Sequence, residues 1–456
     1  MISKSSRRQF LGASLAFGSL ARHAAPAQTS ASPFRLKVED VFVLEEYSHR
    51  CFRFFVEQSD PETGLVMDRA GADGLTPHGR VASLAATGFG LTALCIGAQR
   101  GWISPNQARD RVYTTLQFLR YKAYQTHGFF YHFMDASSGE PRLRSEISSI
   151  DTALCLAGAL TASEFFSKDN EIRSMAHEIF NRVDFAWMLN GDPALLSHGY
   201  NPGKGFLPYR WDQYSEASIL YLLAIGSATH PISPRSWYAW KRPWVRYRNY
   251  SFISGGPLFT HQFSHAWVDF RNLRDADSTD FFHNSVMATY AHRNFCLSLK
   301  SQFPSFGPNL WGITVSDSPL GYVSWGGPPV QGPINGTIVP CATVGSAMLA
   351  PEICLPVVRQ MLTVYGDTVY QRYGFADAFT PHWQGETLWV DPDVVGIDVG
   401  ISLLSVENLQ SGNVWRWFMR NPYIRSGMQK ARFHRSIGTS LDEWNQRMAA
   451  SKEDQE

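Results

Sequence analysis

The chain has 456 residues, with 41 Lys and Arg against 40 Asp and Glu, 44% hydrophobic and 14% aromatic residues, and 18% charged residues where about 25% is usual. At this length roughly three quarters of the unfolded surface can be buried, so stability needs no disulfide scaffold or structural metal, and the 14 Trp, 18 Tyr and 30 Phe exclude disorder. A net charge of +1 excludes a strong electrostatic pull toward nucleic acid or acidic lipid.

In chain order, residues 1–27 read as a twin-arginine export signal. Ser6-Arg7-Arg8-Gln9-Phe10-Leu11 precedes a weakly apolar stretch and Ala25-Pro26-Ala27, an A-x-A-like cleavage site. Removing its four basic residues, Lys4, Arg7, Arg8 and Arg22, leaves 37 bases against 40 acids, a balance of −3. The expectation is a periplasmic or secreted monomer whose residues 28–456 form one domain. No later run reaches the roughly 18 to 20 apolar residues of a membrane span. Six scattered cysteines without a C-x-x-C pair read as buried small hydrophobes rather than bridges.

Helical periodicity predicts helices over Val38 to Glu57, Val81 to Gln99, Gln107 to Tyr124, Ile150 to Phe166, Asn170 to Met188 and Tyr214 to Ile225. Further helices are predicted over Asp280 to Leu299, Cys341 to Ala350, Cys354 to Tyr365, Ile397 to Asn408 and Asn413 to Met419. Two of them, Val81 to Gln99 and Ile150 to Phe166, are small and apolar nearly all round, while the helices that follow each carry a charged face. Buried helices inside half-exposed ones are the pattern of an all-α toroid. The stretches Pro231 to Phe263 and Phe303 to Pro340 are too rich in Gly, Pro and aromatics to be helical throughout, and are expected to line one mouth.

Acids at the starts of apolar helices stand out in so weakly charged a chain. Asp151 opens one, with Glu146 five residues before it; Glu216 precedes another, with Asp212 four before it, on the same face if the helix begins early enough. Asp398 lies among glycines and hydrophobes, with Glu407 nine residues on. A cap or a dipole partner is the ordinary reading of such an acid, but a buried unpaired carboxylate costs several kcal/mol, and acids converging on one cavity suit acid–base chemistry. Nearby Trp211, Tyr214, Trp325 and Trp383 offer flat rings for a sugar face, and Arg210, Asp212, His261, Gln262 and His265 offer hydrogen bonds to hydroxyls. His261 and His265 have zinc-ligand spacing, but HQFSH lacks the glutamate of H-E-x-x-H and a third ligand beyond Asp269. With no nucleotide or P-loop fingerprint and no G-x-S-x-G either, no metal or organic cofactor is expected.

The segments YNPGKGFLPYRWDQYSEASILYLLAIGSATHP, GGPLFTHQFSHAWVDFRN, INGTIVPCATVGSAMLAPE and GIDVGISLLSVENLQSGNVWRWFMRNPYI resemble the bacterial glucoamylase-like family that contains the β-1,2-glucanases. The shorter GLVMDR, GFFYHFMD and SEISSIDTALCLAG extend the match over most of the chain. The resemblance implies an (α/α)6 barrel and cofactor-free hydrolysis of β-1,2-glucan or its oligosaccharides. It implies Glu216 as general acid, Asp398 as base candidate and Asp151 with Glu146 in the other acidic motif. Asn335, Val399, Ser215 and His283 depart from residues common in the family, Asp, Gln, Asn and Glu respectively. The alternatives are a polysaccharide lyase built on Tyr214, His261, His265 and Arg210, a transglycosylase, and a non-catalytic glycan-binding protein.

Overall fold

Apolar residues at helical spacing, punctuated by Ser, Asp, Asn and Pro at the starts, give thirteen helices in the computed structural model, which describes residues 34–435 apart from 77, 329–331 and 386. The expected export signal lies outside the described residues. The helices are α1 (Val38–Glu57), α2 (Leu84–Arg100), α3 (Pro105–Tyr121), α4 (Ser149–Phe165), α5 (Asn170–Asn181), α6 (Ser218–Gly226) and α7 (Phe263–Trp267). They continue with α8 (Phe281–Ser298), α9 (Pro340–Val344), α10 (Pro351–Val364), α11 (Gly396–Gln410), α12 (Asn413–Phe418) and α13 (Pro422–Lys430). The compact unit containing them starts at Leu36.

The helices fall into two classes, as their sequences require. Every residue of α2 from Leu84 to Gly97, of α4 from Asp151 to Ser163, of α6, and of α11 from Val399 to Asn408 is buried. By contrast α3 buries only Ala108, Val112, Thr115, Leu116, Phe118 and Leu119, and α5 only Ile172, Met175, Ala176, Ile179 and Phe180, one stripe each. The buried helices touch in the order α9, α11, α2, α4, α6, with α10, α1, α3, α5 and α13 packed behind them. At the α2–α4 contact the backbones nearly meet: a Cβ on Gly158 would lie 2.0 Å from the Gly88 carbonyl oxygen, so no larger residue fits without moving a helix.

Short ladders deliver the chain into three buried helices from one side each. Val81–Ser83, paired with Phe133–Asp135, leads into α2; Ile147–Ser148, paired with Gly199–Asn201, leads into α4; Asp393–Val395, paired with Arg69–Gly71, leads into α11. This explains one departure from expectation. Val81 to Ser83 is extended rather than helical, and Ser83 caps α2 by accepting the Ala86 N–H.

Several other helices start or stop away from their expected ends, among them α3, which runs Pro105–Tyr121 rather than Gln107 to Tyr124, α5, which ends at Asn181 rather than Met188, and α10, which starts at Pro351 rather than Cys354. Helix α6 begins at Ser218, not Tyr214, and the expected Cys341 to Ala350 helix stops at Val344. Short α7 and amphipathic α13 lay outside the predicted ranges; Gly427 of α13 approaches the Leu222 carbonyl of α6 so closely that a Cβ would sit 2.0 Å from it.

All six cysteines are buried free thiols. No described helix is long and apolar enough to cross a membrane. The two long segments carry hairpins, Trp244–Tyr247 with Tyr250–Ile253 and Val315–Ser316 with Val323–Ser324, in keeping with their expected non-helical character.

Candidate active site

The acids gather where the buried helices begin. Ser148, not Asp151, caps α4: its hydroxyl accepts the Asp151 N–H at 3.2 Å and donates to Asp151 Oδ2 at 2.5 Å. The other Asp151 oxygen lies 3.6 Å from His132 Nε2, and His132 Nδ1 lies 3.2 Å from Glu146 Oε1. Burial works against a charge on His132, but Asp151, Glu146 and Asp68 outweigh it and push its pKa up to about 9. In return, the hydrogen bond from His132 holds the Glu146 carboxyl below its ordinary range against the opposing effect of burial. Trp211 sits beside this group, donating its indole N–H to Ser149 Oγ at 2.9 Å and stacking on His198.

Glu216 occupies the turn just before α6. That turn is stapled by Ser264 of α7, whose hydroxyl donates to the Glu216 carbonyl at 2.6 Å and accepts the Ile219 N–H at 3.0 Å. The Glu216 side chain is half-buried, and desolvation raises its pKa to about 7; a backbone hydrogen bond lowers it, and the charge of Asp151 raises it further. Because α6 starts late, Asp212 does not share a helical face with Glu216 as the sequence suggested; it is half-exposed and pairs with Lys241 at 3.1 Å.

Asp398 lies in the first turn of α11 and forms a pair with buried Asp377. Burial is the main cause raising Asp398 to about 6; hydrogen bonds from Asp377 and the Cys341 thiol lower it, and Asp68 and Asp317 raise it. Asp377 is pushed well above the carboxylate range by burial and by the charge of Asp398. Its Oδ2 accepts the Asp317 N–H at 2.9 Å, whereas its Oδ1 has no donor facing it. A proton retained on Asp377 and donated to Asp398 satisfies both carboxyls, since like charges this close do not both ionise. Arg69 bridges Asp68 and Asp317 at 3.2 and 2.6 Å. Tyr322, in the 303–340 segment, has its phenol pushed up by partial burial and by Asp398, Asp377, Asp68 and Asp317. Asp151 thus bears on Glu216 and His132, and Asp68 on His132 and Asp398. The starts of α4, α6 and α11 share one electrostatic neighbourhood.

Several other residues singled out in the sequence make structural contacts of their own. Tyr214, His261 and His265 converge on Ser285 in a sealed cluster, and burial depresses both histidines to about 3, leaving them neutral. Gln262 is buried and ties α7 to α9 through Ala342 O and Ser346 Oγ. Arg210 holds the 189–195 loop by donating to the Leu189 and Leu195 carbonyls. Trp325 is buried with its indole N–H on Ser316 Oγ, while Trp383 is half-buried at the end of the Phe379–Trp383 strand. Glu407 lies near the far end of α11 from Asp398, buried against Arg100 at 2.7 Å. Among the departures, Ser215 Oγ accepts the Ala217 N–H and Asn335 Oδ1 accepts the Thr337 N–H, each closing a local turn.

The sequence argument did not single out His132, Asp68, Asp377 or Tyr322. The first two lie within the quoted GFFYHFMD and GLVMDR motifs, but their significance depends on contacts that those motifs do not contain. Among the described residues, two groups have metal-ligating atoms within 4.8 Å of one another, His132 with Glu146 and Asp151, and Asp317 with Asp391 and Asp393. In the first, both imidazole nitrogens face carboxylates, an ion-pair arrangement; in the second, Arg69 already supplies positive charge at 2.6 Å from Asp317, and His78 Nε2 lies 2.8 Å from Asp393.

Residues 208–422 match the family model described as putative glucoamylase. An exo β-1,2-glucooligosaccharide sophorohydrolase from Parabacteroides distasonis is 24% identical over 431 residues, 86% of this chain and 58% of that protein. The chain therefore spans under two thirds of that curated relative. Among solved structures, the endo-β-1,2-glucanase of Chitinophaga pinensis, in complex with sophorotriose and glucose, superposes with a TM-score of 0.80 at 25% identity, covering 87% of this chain and 99% of that one. A putative glucoamylase from Bacteroides caccae gives 0.80 at 26% identity, over 87% and 100%. The resemblance read from the sequence is borne out.

Proposed function

We propose that the protein is a glycoside hydrolase acting on β-1,2-glucan or its oligosaccharides, built as an (α/α)6 barrel in a single domain and exported by the twin-arginine route. The observation that carries this reading is the placement of two carboxyls at the starts of buried helices, Glu216 in the turn before α6 and Asp398 in the first turn of α11, where burial raises them to about 7 and about 6. Between those values Glu216 holds its proton while Asp398 has lost its own, the division of labour that acid–base hydrolysis needs. The names of the relatives supply the linkage.

In this mechanism Glu216 protonates the leaving glycosidic oxygen. Asp398, steadied by the proton on Asp377, takes a proton from the attacking water, directly or through a sugar hydroxyl, and the anomeric centre inverts. Glu146 and Asp151 accept hydrogen bonds from sugar hydroxyls, and Trp211 presents a ring to the sugar face. Glu216→Gln, which keeps the side chain's size and removes its transferable proton, is expected to abolish release of β-1,2-linked products while leaving the melting temperature nearly unchanged. Full activity in that variant would overturn the assignment.

A further inference from the structure

His132 is fixed on every side. Its backbone N–H donates to the Glu146 carbonyl, its own carbonyl accepts the N–H of Leu84 at the start of α2, both at 3.0 Å, and its ring stacks on Phe133 with centroids 3.8 Å apart. The imidazole is thereby held with Nδ1 toward Glu146 and Nε2 toward Asp151, at 3.2 and 3.6 Å. A neutral imidazole carries one N–H and satisfies one carboxylate; only the imidazolium offers an N–H to each. The charged groups facing the ring are Glu146 and Asp151 and, from the segment before the Arg69–Gly71 strand, Asp68. All three are acids.

We propose that His132 is a positioning residue of the cleft: an imidazolium that donates to both Glu146 and Asp151 and so holds the two carboxylates oriented toward substrate hydroxyls. The inference rests on the hydrolase reading of the cleft. It assigns the pair Glu146 and Asp151 to substrate orientation rather than to proton transfer, because a carboxylate locked to a cation is a poor base.

The charge state is measured directly by NMR titration of the histidine ring protons and nitrogens in the full chain, with the His132 resonance identified by its loss in His132→Gln. A midpoint near 9 is expected, falling toward the ordinary 6.5 in the Asp151→Asn, Glu146→Gln double variant. A wild-type midpoint at or below 6.5 would overturn the proposal. In activity, His132→Gln removes the charge but keeps a donor. The acidic limb, set in the wild type by Asp398, should gain a second titration at Glu146, which His132 no longer holds down, and kcat should fall by about tenfold, the equivalent of one charge-assisted contact, with KM changing less. A lower melting temperature with an unshifted pH profile would mark a purely structural role and overturn it too. If His132→Gln does not fold, His132→Asn supplies the assignment and the wild-type titration still decides. His132 titrating at or below 6.5 in an active enzyme sinks this inference alone, whereas a midpoint near 9 in a protein inactive on every glucan sinks the hydrolase reading, and the positioning role with it.

Discussion

A carboxyl's pKa climbs toward neutrality where water is held away from it, and Glu216 and Asp398 do this with different neighbours. Glu216 relies on desolvation and the Asp151 charge, while Asp398 is buried beside a second carboxyl that donates to it. The pH dependence follows from the signs. Activity requires Glu216 protonated, so it is lost as pH rises through about 7, and Asp398 ionised, so it is lost as pH falls through about 6. A narrow bell in kcat/KM with limbs near those values is the expected profile. Glu216→Gln should lower kcat by about 10²- to 10⁴-fold, measured by release of reducing ends. Asp377→Leu removes the hydrogen bond that lowers Asp398 and should move the acidic limb upward, whereas Asp377→Asn keeps an N–H donor and should move it less. At this scale Glu216, Asp398 and Asp151 were legible because each stands against an apolar pattern. Gln262, Glu407 and Arg210 stand against similar patterns for another reason: a buried polar side chain is also what an interior clamp requires. Sequence alone does not separate a cleft from a clamp, and His132 was invisible because its partners come from tertiary contacts.

Helices tell a different story, since their periodicity is written locally. Range Val38–Glu57 is as predicted, and α4 is shifted by one residue at each end, because the apolar stretch and its Ser cap are both contiguous in sequence. Where prediction failed, a tertiary partner decided: the ladder to Phe133–Asp135 stretched Val81–Ser83, and Ser264 took over the start of α6. Gly158 on α4 is the tightest test of the packing. Gly158→Ala puts a methyl against the Gly88 carbonyl and should destabilise by about 1–3 kcal/mol or more, read as a drop in the denaturant midpoint. Glu407 tests the two ends of α11 separately. Glu407→Ala takes from Arg100 its buried carboxylate, leaving it Glu45 and Gln410, and removes bonds to Ser411 and Asn413. Stability should fall by about 3 kcal/mol, while kcat on a folded sample stays within about twofold because Asp398 is at the opposite end. A large loss of kcat without loss of stability would place Glu407 in the cleft after all.

For the molecule as a whole, low charge and abundant aromatics have a structural cause. Helices α2, α4, α6 and α11 bury nearly every face, which leaves charged residues to the outer stripes and to the helix starts. The helical class was legible from that alternation; the order in which the buried helices touch was not, because it depends on contacts between distant segments. The proposed glucan linkage rests on resemblance alone, since acids and flat rings suit many sugars. The account therefore stands or falls on substrate and acid together. The measurement is product analysis on β-1,2-, β-1,3- and α-1,4-glucans by the wild type and Glu216→Gln. The account predicts β-1,2-linked oligosaccharides or disaccharides from the first substrate alone, with release lost in the variant. Cleavage of another glucan in preference, or equal release by Glu216→Gln, would contradict it.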